Sequence, residues 1–280
     1  MENLGFLAAL GAALAWGSYL VPFKISQSKN LLSFQALMAV GIGFSGLLIS
    51  LILGYSLTLN MYGLLSGVLW ASANVISLVA VLNLGLSRAA PLLSSLVILS
   101  SFLWGALVFG ELPTGIIMGF FGIGLIVLGV ILISATGNTH SQNIKKGLLA
   151  GIIAGLMFGS QLVPIKVGNV ATRDFFFPVC FGIFITGLLI SQVMKVKFKK
   201  EAVKESLLSG LIWNIGNLLS LLSLSIIGLS KMGPISQSAI LVAVFWGLFY
   251  FKEVAQRKKM IQVLIGAAVL LAGVAILGLA

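Results

Sequence analysis

The segment GSYLVPFK at residues 17–24 recurs as GSQLVPIK at residues 159–166, with six identities in eight positions. The match extends upstream in the same register without a gap, where Trp16 pairs with Phe158. Further blocks align in this register or one position from it: LLSGVLWASANVIS (64–77) with LLSGLIWNIGNLLS (207–220), GLSRAAP (85–91) with GLSKMGP (228–234), and Trp104, Gly105 and Glu111 with Trp246, Gly247 and Glu253. Chance similarity between apolar segments seldom preserves Trp, Asn, Pro and Glu in register. The sequence therefore predicts two homologous halves, 1–139 and 140–280.

The composition is that of a membrane protein. Of the 280 residues 59% are hydrophobic and only 8% are charged, with a mean hydropathy of +1.16, whereas an ordinary soluble domain has about 25% charged residues. A membrane-spanning helix needs about 20 mainly apolar residues. Charged or turn-rich breaks divide the chain into ten such segments: 4–23, 32–53, 62–83, 89–110, 115–135, 147–166, 175–194, 206–226, 232–251 and 261–279. We expect an all-α integral membrane protein with ten transmembrane helices.

The two halves are predicted to have opposite orientations in the membrane. Five spans per half is an odd number, so the second half enters the bilayer from the opposite face. Lys24 then ends its helix on the cytoplasmic side, while its counterpart Lys166 ends on the outside. Inverted repeats of this kind support alternating access, with a substrate site near the midplane of the membrane.

The net charge of +11 does not indicate nucleic-acid binding, because the basic residues are spread over loops rather than clustered on a soluble face. Fourteen of the 17 lie in the loops on one side of the predicted topology, and Lys166, Arg173 and Lys231 lie on the other. The positive-inside rule places the first side in the cytoplasm. We expect a multi-pass protein of the cytoplasmic membrane whose two termini face outward.

These features resemble the drug/metabolite transporter superfamily. The resemblance covers the whole chain and rests on the two five-helix repeats, the GSxLVPxK segments, the WxxxN of helices three and eight, the GLS[RK]xxP segments and the glutamates that close helices four and nine. Within the superfamily the chain is most similar to the glucose/ribose porter family of bacterial sugar transporters. The resemblance implies sugar uptake, a central cavity among helices one to four and six to nine, and a peripheral position for helices five and ten.

Side chains that carry chemistry are scarce in this sequence. The chain has one His, one Cys and six acidic residues, and the acids and His140 fall in loops or at predicted helix ends. No paired carboxylates, Cys/His nucleophile or zinc spacing arises within the spans, so we expect neither an enzyme nor a cofactor or metal. An ionisable group at mid-depth would mark a proton relay or the partner of a charged substrate. Its absence favours a neutral polar substrate.

A neutral polyol is held by amide and hydroxyl groups, with an aromatic face against its C–H side. Two helical stripes with the spacing i, i+4, i+7 offer such groups: Trp70, Asn74 and Ser77 in the first half, and Trp213, Asn217 and Ser220 in the second. Asn214 has Ala71 as its counterpart, which makes the half-sites unequal. Further candidates are Tyr19 and Gln161, the variable positions of the repeated GSxLVPxK, and Ser94 and Gln237. The alternative role for the Asn and Ser side chains is to bridge helices, and Trp also anchors helices at membrane interfaces.

Two pairs of repeat-equivalent residues are candidates for gating and coupling. Pro22 and Pro164 weaken the backbone hydrogen bonding near a helix end, which suits a gating hinge; the alternative is a simple helix stop. Glu111 and Glu253 are the repeat-paired acids and the candidates for energy coupling, with anchoring to headgroup water or a neighbouring Lys as the competing role. Because the spans contain no Asp, Glu or His, we expect facilitated diffusion or exchange rather than proton symport.

The sequence thus predicts a secondary transporter that moves a small neutral polar solute, with a sugar as the leading substrate, by alternating access. Export of amino acids or other metabolites is the alternative within the superfamily, and a receptor or scaffold without transport is a third hypothesis. The expected partners are the solute and the lipid bilayer, and the chain is expected to be a monomer or a weak homodimer.

Overall fold

The computed structural model describes residues 2–25, 31–84, 86–111, 115–134, 143–198, 203–251 and 257–279, and the regular structure in these ranges is helical throughout. In chain order the helices are α1 (Glu2–Ser18), α2 (Val21–Ile25), α3 (Leu31–Leu53), α4 (Met61–Leu84), α5 (Leu86–Leu103), α6 (Ile116–Ser134), α7 (Ile144–Ser160), α8 (Val163–Val167), α9 (Thr172–Val193), α10 (Val203–Ser236), α11 (Ala239–Phe245) and α12 (Arg257–Leu279). Five-residue π-helical segments at Trp104–Val108 and Trp246–Tyr250 continue α5 and α11.

Most of these helices are suited to a lipid environment. Six apolar stretches have the length and composition of a membrane span: Leu32–Leu53, Met61–Leu84, Ile144–Val167, Thr172–Val193, Val203–Ala243 and Met260–Leu277. The apolar stretches Leu92–Val108 and Ile116–Leu132 are shorter. Large apolar side chains cover the outer surface, and Ile52, Ile117 and Val193 are 80%, 84% and 82% exposed. Over its described residues the chain is an all-helical, multi-pass membrane protein.

Two spans that the sequence predicts as continuous are interrupted. The helix stops at residues 19–20, between α1 and α2, and at residues 161–162, between α7 and α8. Pro22 and Pro164 lie in the first turn of the short second helices, where a missing N–H group costs no helical hydrogen bond. The two prolines therefore lie at the start of a short helix, directly after a break, and their role as gating hinges stays a prediction.

A third interruption lies within α10. At Gly228 the backbone has φ +76° and ψ 173°, a conformation that glycine adopts far more readily than other residues. The chain changes direction at this single residue rather than over the longer turn, 227–231, that the sequence predicts. The segment that follows begins a new helical stretch beside α5.

The helices pack in pairs. Helix α1 packs along α10, and α4 packs along α7; α3 contacts α9 and α10, and α9 also contacts α4. Helix α5 packs against α7, and α11 packs against α1. Helices α6 and α12 make their main contact with each other. The largest fully buried side chains are aromatic: Phe34, Phe102, Phe175 and Phe176.

Glycine lets α6 and α12 approach closely. A Cβ atom at Gly129 would lie 2.6 Å from the backbone nitrogen of Leu270 and 2.7 Å from the carbonyl oxygen of Gly266. At Gly124, on the same helix, a Cβ atom would have no neighbour within 4 Å. The two backbones are therefore in contact at Gly129, as is typical of small-residue packing between membrane helices.

We expect Gly129→Ala to destabilise the α6–α12 pair, because the added methyl group meets backbone atoms. Overpacking of this kind costs about 1–3 kcal/mol. Gly124→Ala is the matched control and is expected to be neutral or slightly stabilising, since Ala favours the helix more than Gly. Thermal unfolding of the detergent-solubilised variants measures the difference. Equal unfolding temperatures for the two variants would contradict the packing described here.

Candidate substrate cavity

A cavity of about 320 Å³ lies where α1, α4, α5, α7, α10 and α11 meet, within the range of about 300–1,000 Å³ that is typical of small-molecule sites. Eight residues that the sequence predicts to bind substrate line it: Tyr19, Trp70, Asn74, Ser77, Ser94, Gln161, Trp213 and Gln237. The other lining residues are Trp16, Gly17, Leu93, Val97, Phe158, Ala239, Ile240 and Ala243. All of these side chains are uncharged, so the cavity offers hydrogen bonds and apolar contact without an ionic partner.

The helix interruptions bring polar side chains to the cavity wall. Tyr19 and Gln161 lie in the two gaps, and the Gln161 N–H still bonds to the carbonyl of Phe158 at 3.4 Å. The two positions are equivalent in the repeat, so the same backbone break presents a phenol from one half and a carboxamide from the other.

Four aromatic side chains form one face of the cavity. The Trp70 and Trp213 rings are 4.5 Å apart between centroids, Trp213 is stacked on Trp16 at 6.3 Å, and Phe158 meets Trp70 edge-on at 6.2 Å. The Trp16 Nε1–H also donates to the Trp213 carbonyl at 3.3 Å. Sequence reasoning did not select Trp16 and Phe158 for binding. Their signal was the aromatic pairing in the repeat, directly before GSxLVPxK.

Another part of the cavity lining is the amide of Asn74, which is half-buried. The Ser77 hydroxyl donates to the backbone carbonyl of Asn74 at 2.6 Å, and the Gln35 Nε2 of α3 donates to its Oδ1 at 2.8 Å. Sequence reasoning missed Gln35. Its signal was a carboxamide inside an otherwise apolar predicted span.

At one end of the molecule Glu111 joins three segments. Lys166 Nζ, at the end of α8, lies 2.9 Å from Glu111 Oε1 as an ion pair, and the backbone N–H of Ser230, just after the break at Gly228, donates to Oε2 at 2.7 Å. Burial raises the pKa of the Glu111 carboxyl, but the N–H groups of Ser230 and Leu229 together with Lys166 lower it by more. We call this contact the Glu111 junction. Of the predicted coupling pair, Glu253 lies outside the described residues.

Comparison with known proteins settles the family. The family model described as sugar transport protein matches residues 7–280. The chain belongs to the sugar transport protein family. It is 27% identical to the glucose uptake protein of Bacillus subtilis and 29% identical to a protein of Staphylococcus epidermidis named probable glucose uptake protein, with 99% of each chain covered in both cases. A solved crystal structure shares the fold, with a TM-score of 0.73 at 16% identity over 99% of this chain and 96% of the other.

Three predicted binding residues of this sugar transport protein do not line the cavity. Asn217 is 1% exposed and Ser220 is fully buried, with the Ser220 hydroxyl bonded to the Asn217 carbonyl at 2.8 Å. Asn214 is also fully buried. Its Nδ2 donates to the carbonyl of Ile42 at 2.7 Å and to Ser45 Oγ at 2.8 Å, and its Oδ1 accepts from the Cys180 thiol at 3.2 Å. Asn214 thus joins α10 to α3 and α9, which is the helix-bridging alternative.

We expect Asn214→Ala to lower the stability of this sugar transport protein and to leave substrate affinity nearly unchanged. The substitution leaves two buried acceptors and the thiol without their partner, at a cost of about 1–3 kcal/mol. Thermal unfolding and equilibrium substrate binding, measured on one detergent preparation, separate the two effects. A large loss of affinity at unchanged unfolding temperature would place Asn214 in the binding site instead.

Proposed function

We propose that the chain carries a neutral sugar across the cytoplasmic membrane and that the 320 Å³ cavity is its substrate site. The observation that carries the proposal is an uncharged wall in which Asn74, Gln161, Gln237 and the hydroxyl groups face a space bordered by Trp rings. Amides and hydroxyls bond sugar hydroxyls, and an aromatic face packs on the C–H side of the ring. The names of the relatives, which specify glucose uptake, favour inward transport of a hexose.

The amino-acid alternative fits this cavity less well. A zwitterion carries an ammonium and a carboxylate group, and burying either without a charged or strongly polar partner is costly. Among the described residues, the cavity wall offers no acid, Lys or Arg. A scaffold would need no cavity with a matched polar wall, and a receptor without transport would not share the uptake for which the relatives are named. The sugar carrier is therefore the function that the geometry supports best.

We further propose ten transmembrane helices in two inverted halves. Repeat-equivalent contacts support this arrangement: Trp104 Nε1 donates to Ser160 Oγ at 2.9 Å, and Trp246 Nε1 donates to Ser18 Oγ at 2.9 Å. Each bond links one half to the other, and the repeat aligns both the two tryptophans and the two serines with each other. The helix packing shows the same correspondence between the halves. In the repeat, α1 is equivalent to α7 and α4 to the first part of α10, and α1 packs on α10 as α7 packs on α4.

Alternating access would use the two ends of this arrangement. Between the cavity and the Glu111 junction, α5 and the second part of α10 pack so closely that a Cβ atom at Gly233 would overlap the Ser101 side chain. We propose that this end is closed and, from the distribution of basic loops, that it faces outward. In the repeat, the equivalent residues are Lys24, in the last turn of α2, and Glu253, which lies outside the described residues. Opening one end while the other closes would carry the sugar across.

Energy coupling by protons has little support in the described residues. The acids Glu2, Asp174 and Glu205 lie in the first turns of helices, and Glu111 is held by Lys166. Because the pKa of Glu111 is lowered, the carboxylate stays charged at neutral pH, and the junction weakens only as pH falls through that lowered pKa. We propose facilitated diffusion or exchange, with Glu111 as a closing contact.

Asn74→Ala is expected to weaken sugar binding about tenfold, because it removes one hydrogen bond to a desolvated hydroxyl. Asn83→Ala is the matched control on the same helix, since the Asn83 amide bonds to the carbonyl of Val79 at 2.8 Å and does not line the cavity. Sugar-induced change in Trp fluorescence of the purified protein measures affinity, and uptake into proteoliposomes measures transport. The proposal would be contradicted if the protein bound and transported amino acids but no sugar, or if Asn74→Ala and Asn83→Ala had equal affinities for sugar.

Glu111→Gln is expected to open the outer end more often, since it removes the ion pair with Lys166 and leaves Gly233 and Ser101 as the remaining closure. A cysteine introduced at Val97, which lines the cavity, would then react several times faster with an impermeant maleimide added outside. Glu2→Gln, which removes the exposed pair with Lys231 at the same end, is the control. Identical labelling in the two backgrounds would show that the junction does not close the cavity.

A further inference from the structure

Asn74 lies between two cavities. On one side it lines the central cavity, and on the other it lines a pocket of about 30 Å³ between α3, α4 and α9, which Gln35 also lines. Gln35 reaches Asn74 from this second side, and its Nε2 donates to Asn74 Oδ1 at 2.8 Å. The hydrogen bond thus approaches the amide from behind the cavity wall.

This bond orients the Asn74 amide. The oxygen accepts one hydrogen bond from Gln35, and no hydrogen bond of the nitrogen to another described residue is found. An amide that bonds through its oxygen on one side keeps its two N–H donors for the other. We infer that Gln35 is a positioning residue that holds Asn74 with its Nδ2 toward the central cavity, so that the site selects a sugar hydroxyl whose oxygen accepts a hydrogen bond.

The second half of the protein does not repeat this arrangement. In the register that pairs Trp16 with Phe158, the position equivalent to Gln35 is Phe177, and the counterpart amide, Asn217, is 1% exposed. The Asn217 side chain is buried away from the central cavity. Only the first half therefore presents an oriented carboxamide to the cavity from this helix position, and selectivity for one hydroxyl is assigned to that half.

The inference rests on the proposed sugar site, and a double-mutant cycle tests it. Gln35→Leu removes the bond to Asn74 and is expected to weaken glucose binding about tenfold in the purified protein, as is Asn74→Ala. If Gln35 acts through Asn74, the double variant binds within about twofold of Asn74→Ala alone. A series of monodeoxy glucose analogues adds a second readout. We expect one analogue to bind about tenfold more weakly than glucose in the wild type and this difference to shrink to about twofold in Gln35→Leu.

A matched control removes another carboxamide that bonds between helices. Gln262 Nε2 donates to the carbonyl of Leu132 at 3.2 Å, away from the cavity, so Gln262→Leu is expected to leave both affinity and analogue preference unchanged. Gln35→Met, which is unbranched like Gln, replaces Gln35→Leu if the latter unfolds. Additive losses of about a hundredfold in the double variant, or an unchanged analogue series, would overturn the role of Gln35 while leaving the sugar site intact. A wild-type protein that binds no sugar of the series would overturn both.

Discussion

In a lipid bilayer every backbone N–H and carbonyl group needs a partner inside the protein, because no water is available to the hydrocarbon-facing surface. Unbroken helices meet this constraint, and a broken helix meets it only where it borders a cavity or another polar group. The breaks of this chain obey it. Tyr19 and Gln161 stand beside the central cavity, and the N–H of Ser230, after the break at Gly228, is taken by Glu111. In the proposed function, the positions of the breaks place polar groups where the solute would bind.

The same constraint links the cavity to the ends of the molecule. Helices α2 and α8 continue from the breaks, and their last turns carry Lys24 and Lys166. Lys166 forms an ion pair with Glu111, so a change of angle at the break beside Gln161 would move Lys166 and change its distance from Glu111. In the proposed mechanism, a sugar bound against Tyr19, Gln161 and the Trp rings would contact the helices whose movement opens and closes the path. In the proposed mechanism, the residues that bind the sugar and those that close the outer end are different but lie on the same helices.

Much of this arrangement could be predicted from the sequence. The apolar segments indicate the helices, and the sequence identifies eight of the 16 residues that line the cavity, because Trp, Asn and Gln in register are informative in an apolar chain. Periodicity places Trp213, Asn217 and Ser220 on one stripe, yet only Trp213 reaches the cavity, since α10 is covered from several sides. Gln35 and the bridging role of Asn214 depend on contacts between distant helices, which spacing along one helix does not reveal.

The central claim is that one site, closed alternately at its two ends, carries a sugar. Counterflow in proteoliposomes tests it most directly: vesicles loaded with unlabelled glucose are diluted into a trace of labelled glucose without any ion gradient. An alternating carrier exchanges inner for outer sugar, so the label accumulates transiently above its outside concentration before it equilibrates. Two results would contradict the account. One is a label concentration inside that rises only to the outside concentration, as through a pore, and the other is label entry no greater than into vesicles without the protein.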